Sequence, residues 1–339
     1  MRKYRKVEHI ENYLKTSFVG SNLLDDVFLY NNSLPEIDFY EIDTSTDFIG
    51  KKINFPLMIN AMTGGTDFSA DINRDLARVA REFHLPMAVG SQTIIFEDSE
   101  SIESFKVARD IIGEEGIVIA NINGHTRLED AQKAIDVIDA DAIQVHLNPA
   151  QELAQEEGDR SFKNILSNIR VLLDGLDKPL IVKEVGFGIS KDVAKRLYDI
   201  GVRNIDISGH GGTNFFEVEN LRSPNQDLAE LYSWGIPTAL ALIEAKSLKK
   251  DGMKLIASGG IRNSTELIKS IVLGADMVGI SGEILTYLIH GGYEYTMQYI
   301  SNLIYKSKML MMLTGSSTIK DLQKTPYKLT GKLREFIMQ

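Results

Sequence analysis

From about Phe55 onward the chain repeats one pattern, a short apolar or alternating run that ends in Gly, Asn or Ser, followed by a stretch with apolar positions at helical spacing. Eight such pairs can be read. Strands are expected at FPLMINAM, PMAVG, GIVIANIN, ADAIQVHLN, PLIVKEVG, NIDISGHG, KLIASGG and MVGISG, in that order. Helices are expected over 70–82, 128–138, 162–173, 191–200 and 264–273, among others. Strict alternation of strand and helix implies a parallel sheet with helical crossovers, and eight units close a barrel, so the expected fold class is α/β, a (β/α)₈ TIM barrel. An open doubly wound sheet is the alternative, and it favours a Gly-rich turn after the first strand. Here the Gly-Gly turns gather after strands six and seven, with one more after strand one. Residues 1–54 form an N-terminal extension, 55–283 the barrel, and 284–339 a helical tail ending in the polar stretch 320–339. No repeat beyond the strand-helix period and no low-complexity linker breaks the chain, so 1–339 is expected to be one domain.

Composition narrows the partners. The 339 residues are 43% hydrophobic and 25% charged with 8 Pro, which is a globular composition able to bury a full core. Lys+Arg total 37 against 47 Asp+Glu, a formal net charge of -10, which disfavours nucleic acid or an anionic membrane as a partner and makes any anion site local. The absence of Cys excludes disulfides, thiolate metal sites and a Cys nucleophile, and fits a reducing cytoplasm. The basic N-terminus lacks an apolar core, and Glu8 and Glu11 argue against a transit peptide. The dense apolar stretch at 309–313 is far below the ~18 residues of a spanning helix, so a soluble, cytoplasmic protein is expected.

Alternate residues of a strand share a face, and three strands carry polar groups at alternate positions: Asn121 and Asn123; Gln144, His146 and Asn148; Asn204, Asp206 and Ser208. Barrel interiors are normally packed with branched apolar side chains, and reactive groups stand at the C-terminal strand ends, so these faces read as site lining. Each residue taken alone could equally belong to a hydrogen-bonded polar layer. His84, His125 and His290 fall on helices or loops and read as structural. Lys183 lies inside a buried-looking strand, where an ammonium needs an anion, and Glu184 points to the opposite face. Such a lysine suits stabilisation of an electron-rich cofactor or a Schiff base. The segment IASGGIRNSTELIKSIVLGADMVGIS joins a strand, a Gly-Gly turn, Arg262, a helix start and a strand ending in Ser281-Gly282, the recurrent barrel phosphate site.

Taken together the motifs resemble one family, the FMN-dependent type 2 isopentenyl diphosphate isomerases, within the wider set of FMN-dependent barrel oxidoreductases. The resemblance rests on RKVEHI at 5–10, AMTGG at 61–65, GSQ at 90–92, Asn121, HLNPAQE at 146–152, KEVGFG at 183–188, SGHGGTNF at 208–215, SGGIR at 258–262 and VGISG at 278–282. RKVEHI and HLNPAQE set these isomerases apart from their relatives. The resemblance implies that Ala61, Met62, Thr63, Ser91, Asn121, Lys183, Ser208 and Thr213 surround the flavin ring and ribityl chain. It places Gly259, Gly260, Arg262, Ser281 and Gly282 around the FMN phosphate. Arg5, Lys6 and His9 then form a diphosphate clamp, Gln151 stands beside the reacting alkene with His146 and Asn148 among the catalytic residues, and Glu152 holds Mg²⁺. Helix capping is the structural alternative for Glu152. The implied reaction is a 1,3-proton shift between isopentenyl and dimethylallyl diphosphate, with NADPH as the source of electrons and a homo-oligomer, a tetramer or larger, as the assembly.

One departure keeps a second class in view. Hydroxy-acid oxidases of the same barrel carry a motif like SGHGGTNF in which a His is the base and an Arg three residues later binds the substrate carboxylate. His210 matches the base, but Thr213 stands at the Arg position. A Schiff-base lyase built on Lys183 and a non-catalytic flavin carrier are the further alternatives.

Overall fold

The computed structural model describes residues 2–223, 227–250 and 252–339, and for residues 2–5 the backbone alone. Eight parallel strands close into a barrel: β4 (Leu57–Ile59), β5 (Met87–Ala88), β6 (Val118–Asn123), β7 (Ala142–Leu147), β8 (Leu180–Glu184), β9 (Asn204–Asp206), β10 (Lys254–Ala257) and β11 (Met277–Ile280). Closure comes from β11 pairing with β4, Val278 opposite Leu57 and Ile280 opposite Ile59. All eight expected strands are present, and the open-sheet alternative falls away. Before the barrel come α1 (Arg2–Tyr13), β1 (Val27–Leu29) and the hairpin of β2 (Thr46–Phe48) with β3 (Lys51–Ile53).

The crossovers follow the apolar periodicity: α2 (Asp67–Phe83), α3 (Glu103–Ile112), α4 (Leu128–Val137), α5 (Pro149–Ala154), α6 (Ile165–Gly175), α7 (Lys191–Asp199), α8 (Phe215–Arg222), α9 (Thr238–Lys246) and α10 (Ser264–Leu273). In α2, Ile72, Leu76 and Val79 fall on one face and are buried, each such side chain contributing about 1.5–3 kcal/mol of transfer free energy. Thr66 caps its start by accepting the Ser69 N–H, and His84 ends it in the left-handed region at φ 51°. His84 thus has the structural part expected of it. The outward strand positions, Val118, Ala120, Ile143, Val145, Leu180 and Val182 among them, pack under these helices in one core. Because the inner faces of the lower barrel are apolar as well, the strands read as near-continuous hydrophobic runs.

A device repeats at the strand starts. Asp141, just before β7, accepts the Val118 N–H at 2.9 Å and pairs with Arg109 and Lys51; Asp276, just before β11, accepts the Leu255 N–H at 2.8 Å and pairs with Lys249. Both carboxylates stitch the N-terminal end of the barrel, away from the cavity described below.

The extensions depart from a simple flanking role. The residues up to 54 serve both ends of the barrel: α1 crosses the C-terminal mouth, while Phe48 and Ile53 of the hairpin plug the N-terminal mouth against Met58, Ile119, Ile181 and Met277. The tail is helical over α11 (Gly282–Leu313), with a kink at Gly292, and over α12 (Ile319–Leu322). It then forms a strand, β12 (Tyr327–Leu329), antiparallel to β1, before α13 (Gly331–Ile337). The expected all-helical tail is corrected there: Tyr327 and Leu329 turn inward and Lys328 outward, a period-two pattern too short to stand out in a polar stretch. No helix among the described residues is long and apolar enough to cross a membrane.

Candidate active site

The barrel interior is layered. Above the apolar plug lies a sealed polar layer in which Gln144 donates to Asn60 Oδ1 at 3.0 Å, Asn60 donates to Asp206 Oδ2 at 2.7 Å, and Ser258 donates to Asp206 Oδ1 at 2.6 Å. Above that layer the strand ends open into a cavity of about 500 Å³. Register brings His146, Lys183 and Asp206 side by side on β7, β8 and β9. Strands β4 and β9 leave the ladder earlier than the sequence pattern implies. Asn60 and the residues after it turn toward the cavity, and Ser208 adopts a left-handed φ of 35°, a conformation costly for a residue with a Cβ and held by its surroundings.

Every residue the family resemblance assigns to the site lines this one cavity, Arg5 apart, whose side chain lies outside the described residues. Of the polar strand positions read as site lining, Gln144 and Asp206 lie instead in the sealed layer beneath it, and Asn204, at the start of β9, donates to Leu180 O. Around the floor stand Ala61, Met62, Thr63, Ser91, Asn121, His146, Lys183, Ser208 and Thr213. One wall is made by Gly259, Gly260, Arg262, Ser281 and Gly282; the other by Asn148, Gln151 and Glu152; α1 crosses the opening with Lys6 and His9. His125 and His290 do not line it. Glycine is required where the turns meet. Gly259 and Gly260 have φ of 99° and 74°, and a Cβ on them would stand 2.0 Å from Gly209 O and 2.3 Å from Gly211 O.

Electrostatics divide the floor. His146 Nδ1 donates to Asn121 Oδ1 at 2.8 Å, and burial, with Lys183 and Lys6 nearby, pushes its imidazole down to about 3. It is therefore neutral at physiological pH. Between an unfolded value near 6.5 and that depressed value the unfolded chain binds the extra proton, so stability contributed by this group is complete above about pH 6.5 and is lost as pH falls toward 3. The expected result in ring-proton NMR of the protein without added ligand is no titration of His146 between pH 5 and 8; an ordinary titration near 6.5 would contradict it. Glu184, on the outer face as expected, accepts the N–H groups of Val185, Gly186, Phe187 and Gly188 at 2.5–3.2 Å, while burial pushes its carboxyl up to about 7.

In the loop after β7, the Asn148 amide donates to both Gln151 Oε1 at 3.1 Å and Glu152 Oε1 at 2.9 Å, fixing the two side chains relative to each other. Glu152 does not cap a helix start; its other oxygen accepts the Asp159 N–H at 2.9 Å. Lys6 Nζ donates to Ser91 O at 2.8 Å. His9 Nε2 stands 2.8 Å from Glu219 Oε1.

The sequence reading missed α8, which holds the N-terminal segment down. Glu217 accepts the Ser17 and Phe18 N–H groups at 2.7 and 3.1 Å; Glu219 faces His9, Gln155 and Arg222; Arg222 reaches Glu8 and Glu157. Burial raises the Glu219 carboxyl, but hydrogen bonds from His9, Arg222 and Gln155 outweigh it and leave the group below its ordinary value. Tyr13, also missed, sets its hydroxyl against Gly282 at the start of α11. His210 lies off the cavity: its ring packs 6.0 Å from Phe18 and against Gly20, beneath the N-terminal segment. The imidazole that an oxidase needs as base is thus turned away from the cavity.

The fold and the glycine-walled cavity define a flavin-binding barrel, and a family model described as FMN-dependent dehydrogenase matches residues 120–328. Solved structures agree on the fold: a flavocytochrome b2 variant superposes with a TM-score of 0.71 at 18% identity over 97% of this chain and 84% of the other, and a mandelate oxidase variant with (S)-mandelic acid with 0.69 at 18% over 95% and 94%. Over the whole length the similarity is closer to other proteins, the isopentenyl-diphosphate delta-isomerase of Listeria innocua at 38% identity over 99% of this chain and 94% of that protein, and that of Staphylococcus haemolyticus at 37% over 100% and 96%. The chain belongs to the isopentenyl-diphosphate delta-isomerase family, in its FMN-dependent form.

Proposed function

We propose that the enzyme interconverts isopentenyl and dimethylallyl diphosphate by a 1,3-proton shift, with reduced FMN and Mg²⁺. One observation carries this reading: HLNPAQE and the N-terminal basic helix, distant in sequence, open onto the same cavity as the glycine-walled phosphate cradle. The cradle fits FMN. Gly259 and Gly260, whose Cβ positions are filled by the turn after β9, set bare backbone at the cavity wall beside Arg262 and the start of the long helix α11, where a phosphate would be held. Lys183 supplies a buried positive charge on the floor, beside which the flavin ring would lie. Bound reduced FMN would supply an electron-rich ring and an exchangeable proton, which a protein carboxyl cannot match against an unactivated alkene.

The chain's own residues bind and orient. Arg5, Lys6 and His9 hold the diphosphate across the opening, His9 positioned by Glu219. Asn148 orients Gln151 against the alkene and Glu152 toward the metal. A single carboxylate beside substrate phosphate oxygens and water is ordinary Mg²⁺ coordination. His146, neutral and tied to Asn121, shapes the pocket as a hydrogen-bonding group. NADPH serves as external reductant, and we place the enzyme in the cytoplasm as a tetramer or larger homo-oligomer.

The test is an absorbance spectrum of the purified protein with identification of the released cofactor, followed by an anaerobic assay with isopentenyl diphosphate, Mg²⁺ and reductant. FMN and turnover with only catalytic reductant are expected. One NAD(P)H consumed per substrate converted would return the oxidoreductase class.

Adjacent residues are expected to separate. Glu152→Gln should shift the Mg²⁺ activation curve to higher concentration by roughly tenfold or more, as for loss of one charged ligand contact of about 1.5–3 kcal/mol. Gln151→Ala should lower turnover with that curve little moved. A metal titration at saturating substrate decides between them, and an unmoved curve in Glu152→Gln removes the metal assignment.

A further inference from the structure

Asp206 is fully buried beneath the cavity floor and has no part in the function proposed above. Its partners reveal its ionisation. The side-chain oxygen of Asn60 already accepts from Gln144 at 3.0 Å and from the Ala61 N–H at 2.9 Å. The amide nitrogen of Asn60 is therefore the end facing Asp206 Oδ2, and it can only donate. Oδ1 receives the Ser208 N–H at 3.2 Å and the Ser258 hydroxyl at 2.6 Å. A site that offers donors to both oxygens is built for a carboxylate rather than a carboxylic acid.

That anion needs a cation, and one residue supplies it. Lys183 is the register partner of Asp206 across β8 and β9, and alternate residues of neighbouring parallel strands at matched register share a face. The other charged and titratable groups around Lys183 serve less or not at all, Glu184 contributing less than Asp206. His146, its register partner on β7, is neutral; the Glu184 carboxylate is engaged by four amides outside the barrel; Lys6, reaching in from α1, is a like charge. Lys183 Nζ itself donates to Glu184 O, a neutral carbonyl, at 2.6 Å. Burial alone would drive both groups to their neutral forms, Lys183 downward and Asp206 upward, and each opposes that shift in the other.

We infer that Asp206 is the counter-ion of Lys183 and fixes the positive charge that faces the flavin ring, which makes it a positioning residue for the reduced cofactor. The inference rests on the reading that FMN lies beside Lys183. Without Asp206 the buried ammonium would keep only the weaker support of Glu184, whose own carboxyl is pushed up to about 7, and a lysine so placed releases its proton more readily, in documented buried cases near or below neutrality. The ring would then lose its neighbouring charge as pH rises.

The experiment measures the flavin midpoint potential and visible spectrum of the substrate-free holoenzyme between about pH 6 and 10, the interval between documented buried lysines and the free value. The wild type should show no Lys183 inflection there. In Asp206→Asn a new one-proton inflection is expected, with a potential at or above the wild type on its acid side and below it on its alkaline side. Adding Lys183→Met should abolish that inflection. The exchanged pair Asn60→Asp with Asp206→Asn preserves each hydrogen bond of the layer but moves the charge one residue away from Lys183. It should fold, and its inflection should lie at higher pH than in Asp206→Asn. A merely structural carboxylate predicts an exchanged pair indistinguishable from the wild type, and that result, or an Asp206→Asn potential parallel to the wild type, overturns the inference. An inflection that survives Lys183→Met overturns it too. Failure of the wild type to bind FMN would instead strike the reading of the cavity on which it rests.

Discussion

Gly259→Ala is expected to bind FMN at least a hundredfold more weakly than the parent protein while retaining the far-ultraviolet circular dichroism of an α/β barrel. Two effects add. The left-handed φ of 99° is unfavourable for alanine, and the new methyl carbon would stand 2.0 Å from Gly209 O, so the turns after β9 and β10 must separate. Backbone strain of this kind amounts to about 1–3 kcal/mol before the contact is counted, and its relief takes the cradle apart. Fluorescence titration of the apoprotein with FMN measures it. Unimpaired binding would mean that the phosphate lies elsewhere.

The second large effect is expected from Arg5→Ala combined with Lys6→Ala. Two lost charge-assisted hydrogen bonds, each about 1.5–3 kcal/mol, should raise the substrate KM or Kd by two orders of magnitude or more. FMN affinity should stay close to that of the wild type, because the cradle is made by other residues, Gly259, Gly260, Arg262, Ser281 and Gly282. Unchanged substrate affinity would make the basic helix a solvated cover and nothing more.

Some of this molecule was plain in its sequence for identifiable reasons. The barrel was legible because both faces of its lower strands are apolar, so that Val118–Asn123 and Leu180–Glu184 stand out as short hydrophobic runs between helical periods. The cavity floor was legible because polar residues interrupt those runs at alternate positions, as at Asn121 and Asn123. Other parts gave no such signal. Asn60 is a single polar residue at the end of an apolar run, and only the closed barrel shows that it bridges Gln144 and Asp206. Glu217 and Glu219 look like the solvated acids of an amphipathic helix, yet both are buried, because the segment they hold returns from about two hundred residues earlier. His210 misled in the opposite direction. Its motif places it at a strand end, but the chain turns there, and residues 18–20 cover the ring.

The pairing of β1 with β12 has a bearing on how the protein is made. Val27 lies opposite Leu329, and Asp26 accepts N–H groups from Thr330 and Leu333. During synthesis, the eight strands can emerge and associate in order, each with a neighbour already present or soon to follow. Strand β1 has no such neighbour until the ribosome has passed β12, although the residues before it already meet Glu217 and Gly260. Closing a loop of this length carries an entropic cost that rises only as the logarithm of its length, so the delay, rather than the free energy, is its main effect. A nascent chain halted within α11 would carry all eight barrel strands and the α8 anchor of the N-terminal segment, with β1 still waiting for its partner.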